Sequence, residues 1–377
     1  MLLFNTLTKK KEILKTIENK KALLYVCGIT PYDTTHLGHA FLYMFFDVLV
    51  RYLNHKKYEV NYVQNVTDID DDILKRAKSE QKDWKELGEF WTKRFLADYK
   101  LLNMQMPTHY VKATETIDVI IEMTADLIKK GSAYEKMGNV YFNVKNFKNY
   151  GKLSRLNEKQ MILISKERGG NPEDPKKRNP LDFVLWQKSG KGEPYWESPW
   201  GQGRPGWHIE CSAMCYKHLG PQIDFHGGGY DLIFPHHESE IAQSESFTGK
   251  SPFVRYWTHA SMVLCEGEKM SKSLGNMVFV SDLIKKYSSN SIRWMLLSHH
   301  YRKPWQFAYE ELQTAVEKLY SMAELAKKPT KGNFSMIERF LEDDMDTPSA
   351  LDYLEKETAG DVLKRGMDLL GFSPLLP

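Results

Sequence analysis

The sequence predicts an α/β fold: a parallel sheet split by an α+β insertion and followed by a helical C-terminal region. Three observations point there. Strand-like and helix-like segments alternate over the first hundred residues, the pattern of a parallel sheet with crossover helices. Residues 105–203 then change character, and the alternation resumes from 204 to 276 before a mostly helical stretch, 277–377. This gives a first half of the sheet at 1–104, an insertion at 105–203, a second half at 204–276 and a C-terminal region at 277–377.

Each element follows from local pattern. "KALLYV" (21–26) is a short apolar run with the turn-forming "CGITPYD" behind it, so it reads as a buried strand. From His36 to Leu53 apolar and aromatic residues fit a buried helix. "YEVNYVQNV" (58–66) alternates as a strand, and "TDIDDDILKRAKSE" opens a helix with Thr67 or Asp68 as N-cap. The insertion holds a helix ("ETIDVIIEMTADLIKKG"), a hairpin ("AYEKMGNVYFNV") and the polar loop "KERGGNPEDPKKRNP". The second half reads helix ("GWHIECSAMCYKHLG"), strand and turn ("QIDFHGGG"), helix ("PHHESEIAQSESF") and strand ("FVRYWTHASMV").

Composition narrows the class. At 42% hydrophobic and 27% charged residues, the chain has ordinary globular content. The start, "MLLFNTLTKKKEILK", breaks into lysines too early for a signal peptide, and no apolar run is long enough to span a bilayer, so a cytoplasmic location is expected. Net charge is +3, and residues 277–377 are slightly acidic, so RNA binding would rest on local patches rather than bulk charge. Four scattered cysteines (Cys27, Cys211, Cys215 and Cys265) suit no disulfide framework, which leaves buried thiol, metal ligand or nucleophile for each.

"THLGHA" (35–40) falls where a strand has ended and a helix begins. A helix start exposes N–H groups and partial positive charge, which attract phosphate. Gly38 lets a nucleotide approach, while His36 and His39 donate hydrogen bonds. "GEKMSKSLGN" (267–276) adds Lys269 and Lys272 flanking Ser271, a loop suited to charge on a transferring nucleotidyl group. Cys27 lies just past a strand end, the ligand-binding edge of open α/β sheets. His236 and Glu240 are spaced i, i+4 on one expected helix face. With Cys211, these side chains form a plausible Zn²⁺ set, although no local finger spacing links them.

Together the first two motifs match the "HIGH" and "KMSKS" signatures of class I aminoacyl-tRNA synthetases, which hold ATP while an amino-acid carboxylate attacks the α-phosphate. From Leu3 past Arg302 the chain resembles the cysteinyl-tRNA synthetases through "YVCGIT", "NVTDIDD", "RNPLDFVLW", "GRPGWHIECSAM", "HGGG", "FPHHESEIAQS" and "KMSKSLGN". The resemblance implies a Rossmann-type (HUP-like) catalytic sheet, and a zinc on Cys27, Cys211, His236 and Glu240 that binds the substrate thiol. It further implies cysteine contacts from Cys27, Thr67, Trp207 and His226, and ATP or adenylate contacts from Gly28, Thr30, Gly38, Gly228, Gly229, Asp231 and Lys272. His36, His39, Lys269 and Lys272 would serve the chemistry, with Mg²⁺ accompanying ATP. Thiolate is a far better zinc ligand than hydroxyl, so the metal would select cysteine over serine, which a metal-free pocket separates poorly.

Cysteinyl-tRNA synthetases typically continue into an anticodon-binding domain, so a short, monomeric form is expected here. "ITPYDTTHLGHA", "YVQNVTDIDDD", "ERGGNP" and "DDMDTPSALDYL" also resemble the ligase that joins cysteine to glucosaminyl-inositol in mycothiol synthesis. That relative has Asp where this chain has Asn171, and lacks a ligand at the position of Glu240. L-cysteine, ATP and tRNA(Cys) are the expected partners, with an amino-sugar acceptor as the alternative and a non-catalytic RNA-binding paralogue as the remote one. Cys215 and Cys265 are expected to be structural thiols, and His208, His237 and Glu238 receive no role.

Overall fold

In a computed structural model, the protein is described over residues 1–270 and 274–372, the Lys269 side chain excepted. At its centre is a parallel sheet of five strands: β1 (Lys21–Ile29), β2 (Glu59–Val66), β3 (His109–Lys112), β4 (Ile223–Gly229) and β5 (Val254–Ala260), in the order β5-β4-β1-β2-β3. The chain builds outward from β1 in one direction and, after the insertion, outward from β4 in the other. The crevice between β1 and β4 at their carboxyl ends is therefore the ligand-binding position of such a sheet.

Helix α1 (Leu37–His55) connects β1 to β2 and is buried on nearly every side, Asp47 included. A helix without a solvated face needs cover on both sides. The sheet supplies one, and C-terminal helices supply the other. The buried Arg293, from helix Ser289–Leu297, pairs with Asp47 and donates to Leu102 O at 2.8 Å. Tyr52 donates to Glu342 across the same seam at 2.9 Å.

Several expectations are corrected. β3 lies within the segment read as insertion, yet it pairs in parallel with β2 as the sheet's edge strand. Only four residues long, it carried too little pattern to be read. The N-cap of α2 (Asp71–Glu80) is Asp70, whose side chain accepts from Asp72 N at 2.7 Å; Asp68 instead accepts from Thr114 N and Oγ1. Residues 233–237 form a wide turn, so α4 (Glu238–Thr248) starts after His236 rather than before it. The helix Trp84–Leu101 and the hairpin of Leu2–Asn5 and Lys10–Ile13 were not anticipated. The insertion proper holds the expected helix, Ile117–Lys129, and a four-stranded antiparallel sheet. No helix among the described residues is long and apolar enough to cross a membrane.

Candidate active site

At the end of β1 the register with β2 shifts between Val26 and Ile29, and this irregularity places Cys27 and Gly28 at the crevice. Gly28 N donates to Asn65 Oδ1 at 2.8 Å, and a Cβ on Gly28 would lie 1.6 Å from Asn65 O. Only glycine fits so close a backbone crossing. Cys27 is thereby pinned facing Cys211 of α3 (Trp207–Leu219), with the two Sγ atoms 3.9 Å apart. Glu240 Oε1 lies 3.7 Å from Cys27 Sγ and 3.2 Å from His236 Nε2.

These four residues fit zinc on geometry. With Zn–S near 2.3 Å and Zn–N or Zn–O about 2.0–2.2 Å, tetrahedral ligands stand about 3.3–3.8 Å apart. The observed separations scatter about that range, and all four ligand atoms lie within 4.8 Å of one another. Without an ion, burial pushes the Cys27 thiol and the Glu240 carboxyl up and His236 down, toward their neutral forms. A buried, mixed thiol, imidazole and carboxyl set has few other uses. A second set, Cys27, His226, His237 and Glu240, is equally close. Of the two, only the first has three members, Cys27, Cys211 and His236, in the wall of the main cavity, where a bound molecule can reach them.

The groups behind the cluster brace it. His226 Nε2 is hydrogen-bonded to Glu240 Oε2 at 2.9 Å, and His226, expected as a cysteine contact, lies behind Glu240 and outside the cavity lining. Burial lowers the His226 pKa to about 3. His237 Nε2 lies 3.3 Å from Cys27 Sγ, and its Nδ1 lies 2.7 Å from His259 Nε2. His208 Nδ1 meets His236 Nδ1 at 3.0 Å. The imidazoles of His208 and His237 thus back His236 and Cys27, with His259 behind His237, an arrangement like the outer shell of a metal site. Sequence gave no signal for His259, and only proximity in "PHH" hinted at His237. Glu238 instead accepts from Ser154 N at 2.8 Å and ties α4 to the insertion. Cys215 is buried but belongs to neither ligand set, and Cys265 is half-buried.

The same cavity, about 1400 Å³, extends to the start of α1 and is lined there by Thr30, His36, Gly38 and His39. His36 is the N-cap, accepts from His39 N, and stacks on the His39 ring at 3.6 Å. The space beside Gly38 is taken first by the His36 ring, 3.0 Å from where a Cβ would sit. The segment after the "KMSKS" loop is anchored at this helix start. Leu37 N donates to Val278 O at 2.8 Å and Val280 N to Thr35 O at 3.1 Å. The segment that follows the second motif therefore meets the first in space. Lys272 lies outside the described residues, and for Lys269 only the backbone is described, paired with Leu264.

Thr67 and Trp207 line the cavity, and the Trp207 ring stacks on that of His236 at 4.4 Å. Gly229 and Asp231 line it too, whereas the space over Gly228 is filled by His237 and Leu232. Arg168, in the "ERGGNP" loop, donates to Asp231 O at 3.1 Å and joins the insertion to this wall.

Comparison with solved structures establishes the fold. A Mycobacterium tuberculosis methionyl-tRNA synthetase in complex with methionyl-adenylate superposes with a TM-score of 0.65 at 14% identity, covering 93% of this chain and 88% of that one. A putative arginyl-tRNA synthetase from Campylobacter jejuni gives a TM-score of 0.56 at 14% identity, covering 94% and 90%. The architecture is that of the class I synthetases.

Within that class, residues 13–317 match the family described as tRNA synthetases class I (C) catalytic domain, and the chain belongs to it. Proteins named cysteine–tRNA ligase from Thermodesulfovibrio yellowstonii and Thermococcus onnurineus are each 50% identical over 85% of this chain. Those alignments cover 66% and 67% of the relatives, so the chain spans about two thirds of their length.

Proposed function

We propose that this protein activates L-cysteine with ATP and passes the cysteinyl group to the 3′ end of tRNA(Cys). The observation that carries this reading is one cavity walled by Cys27, Cys211 and His236 at one end and by the "HLGH" helix start at the other. An amino acid whose sulfur lies at the first end directs its carboxylate toward the second. Attack of that carboxylate on the α-phosphate of ATP forms cysteinyl-adenylate and releases pyrophosphate, and the terminal ribose hydroxyl of tRNA then displaces AMP.

Zn²⁺ held by Cys27, Cys211, His236 and Glu240 would supply a soft Lewis-acid site that favours a thiolate over a hydroxyl. Trp207 and Thr67 bound the amino acid, and His226 holds Glu240 in place. His36 and His39 donate to phosphate oxygens beside the partial positive end of α1. Lys269 and Lys272 neutralise charge as pyrophosphate leaves, in company with Mg²⁺. Gly28, Thr30, Gly229 and Asp231 flank the nucleotide.

The test is ATP–pyrophosphate exchange with cysteine and with serine. Exchange with cysteine and at most about a hundredth of that rate with serine is expected, since a bare pocket separates isosteres by only about 10²-fold. Equal exchange sinks the metal-selection reading. Offering the adenylate both tRNA and glucosaminyl-inositol decides the acceptor: cysteinyl-tRNA is expected, and transfer to the sugar alone overturns the choice.

A further inference from the structure

The cavity wall beside the cluster carries a carboxyl group that the chemistry above leaves unused. Glu210 is 1% exposed and lines the cavity, and its Oε2 has no hydrogen-bond partner among the described residues. A buried acceptor without a donor carries a desolvation cost, so its presence calls for a ligand. Neighbouring acids are already committed. Asp68 accepts from Thr114, Asp70 caps α2, and Asp71 pairs with Arg204.

The Cys211 thiol, Asp70, Asp68 and the Thr67 hydroxyl act on this carboxyl, and none of them carries positive charge. Thr67 Oγ1 accepts from Asn65 Nδ2 at 3.2 Å, which leaves its own proton to turn toward Glu210. Glu210 and Cys211 are consecutive on α3, so their side chains diverge by about 100° and flank one corner of the cavity. In cysteine only two carbon atoms separate sulfur from nitrogen. With the sulfur at the cluster, the nitrogen stays within about 4 Å of it, which brings the wall lined by Glu210 within its reach.

We infer that Glu210 Oε2 accepts the α-ammonium group of the amino acid, an assignment that rests on the cysteine-activation proposal. Glu210 is then what separates an α-amino thiol from other small thiols, which the metal alone would bind equally.

The test compares L-cysteine with 3-mercaptopropionate, which keeps the thiol and carboxylate but lacks the amine. The unmodified, metal-loaded protein should bind cysteine at least about 10-fold more tightly than 3-mercaptopropionate, the scale of one charge-assisted hydrogen bond. Glu210→Gln should raise the KM for cysteine by about 10-fold or more, while the inhibition constant of 3-mercaptopropionate, the metal content and the KM for ATP stay unchanged. Glu210→Asp, which keeps the charge, should retain part of the preference. Equal losses for both thiols in Glu210→Gln, or an unchanged preference, overturn the assignment. If the variants do not fold, equal affinity of the unmodified protein for the two thiols still overturns it. Absence of any cysteine-dependent exchange would instead sink the activation proposal, and this assignment with it.

Discussion

At the sulfur end of the cavity, Cys27, Cys211, His236 and Glu240 are all buried, and His226, His208 and His237 each contact one of them. At the other end, proposed above to take the nucleotide, His36 and His39 stand on the first turn of α1, and the segment around Val278 and Val280 is tied to that turn. One end is a pre-organised set of donors. The other is a helix terminus and a loop. Under the proposed function, the contrast teaches that selection and energy supply can be separated. A soft-metal site must be rigid to hold its ligand spacing, whereas a phosphate chain is long, charged and tolerant of position.

Cys211→Ala should break this comparison most forcefully. Removing one of four ligands is expected to abolish stoichiometric zinc, checked by elemental analysis, and to cut cysteine-dependent exchange by about 10³-fold or more, beyond the 10–100-fold of outer-shell groups. ATP binding should persist. Its loss along with zinc would mean the two ends are one unit.

Lys272→Ala is the converse. Exchange should fall by about 10²–10³-fold, as when a single charge-stabilising donor is removed, with zinc content unchanged. Zinc loss from that folded variant would contradict the partition. A smaller effect is expected behind the cluster: His237→Asn should weaken metal affinity by about 10–100-fold in a chelator competition, because it withdraws the imidazole beside Cys27.

How far the sequence showed these parts depended on the reach of each interaction. The strand Lys21–Ile29 and helix α1 announced themselves because each is a continuous apolar segment. The four candidate ligands could be grouped from side-chain chemistry, but only the resemblance tied them to one zinc, since Cys27, Cys211 and His236 come from three elements and no spacing rule connects them. His236 and Glu240 were placed on one helix. In the structure a wide turn carries His236, and the pair still meets because the turn leads directly into α4. Glu210 and His259 were invisible for a related reason: their meaning lies in what faces them, Thr67 and His237, from distant parts of the chain. β3 was absorbed into the insertion because four residues carry almost no periodicity.

A pair of glycines tests the contrast at the smallest scale. At Gly28 a Cβ would collide with a backbone carbonyl, Asn65 O at 1.6 Å, which cannot move without opening the β1–β2 pairing. At Gly38 it would meet only the His36 ring at 3.0 Å, the end of a side chain that can rotate. Gly28→Ala should therefore destabilise the protein by about 3 kcal/mol, the upper range of overpacking, read as a lowered denaturant midpoint together with loss of zinc. Gly38→Ala should change stability by less than about 1 kcal/mol, because helix propensity gained offsets the adjustment of one ring, and should raise the KM for ATP instead. If Gly38→Ala proves as destabilising as Gly28→Ala, the nucleotide end is as rigid as the sulfur end, and the distinction between them fails.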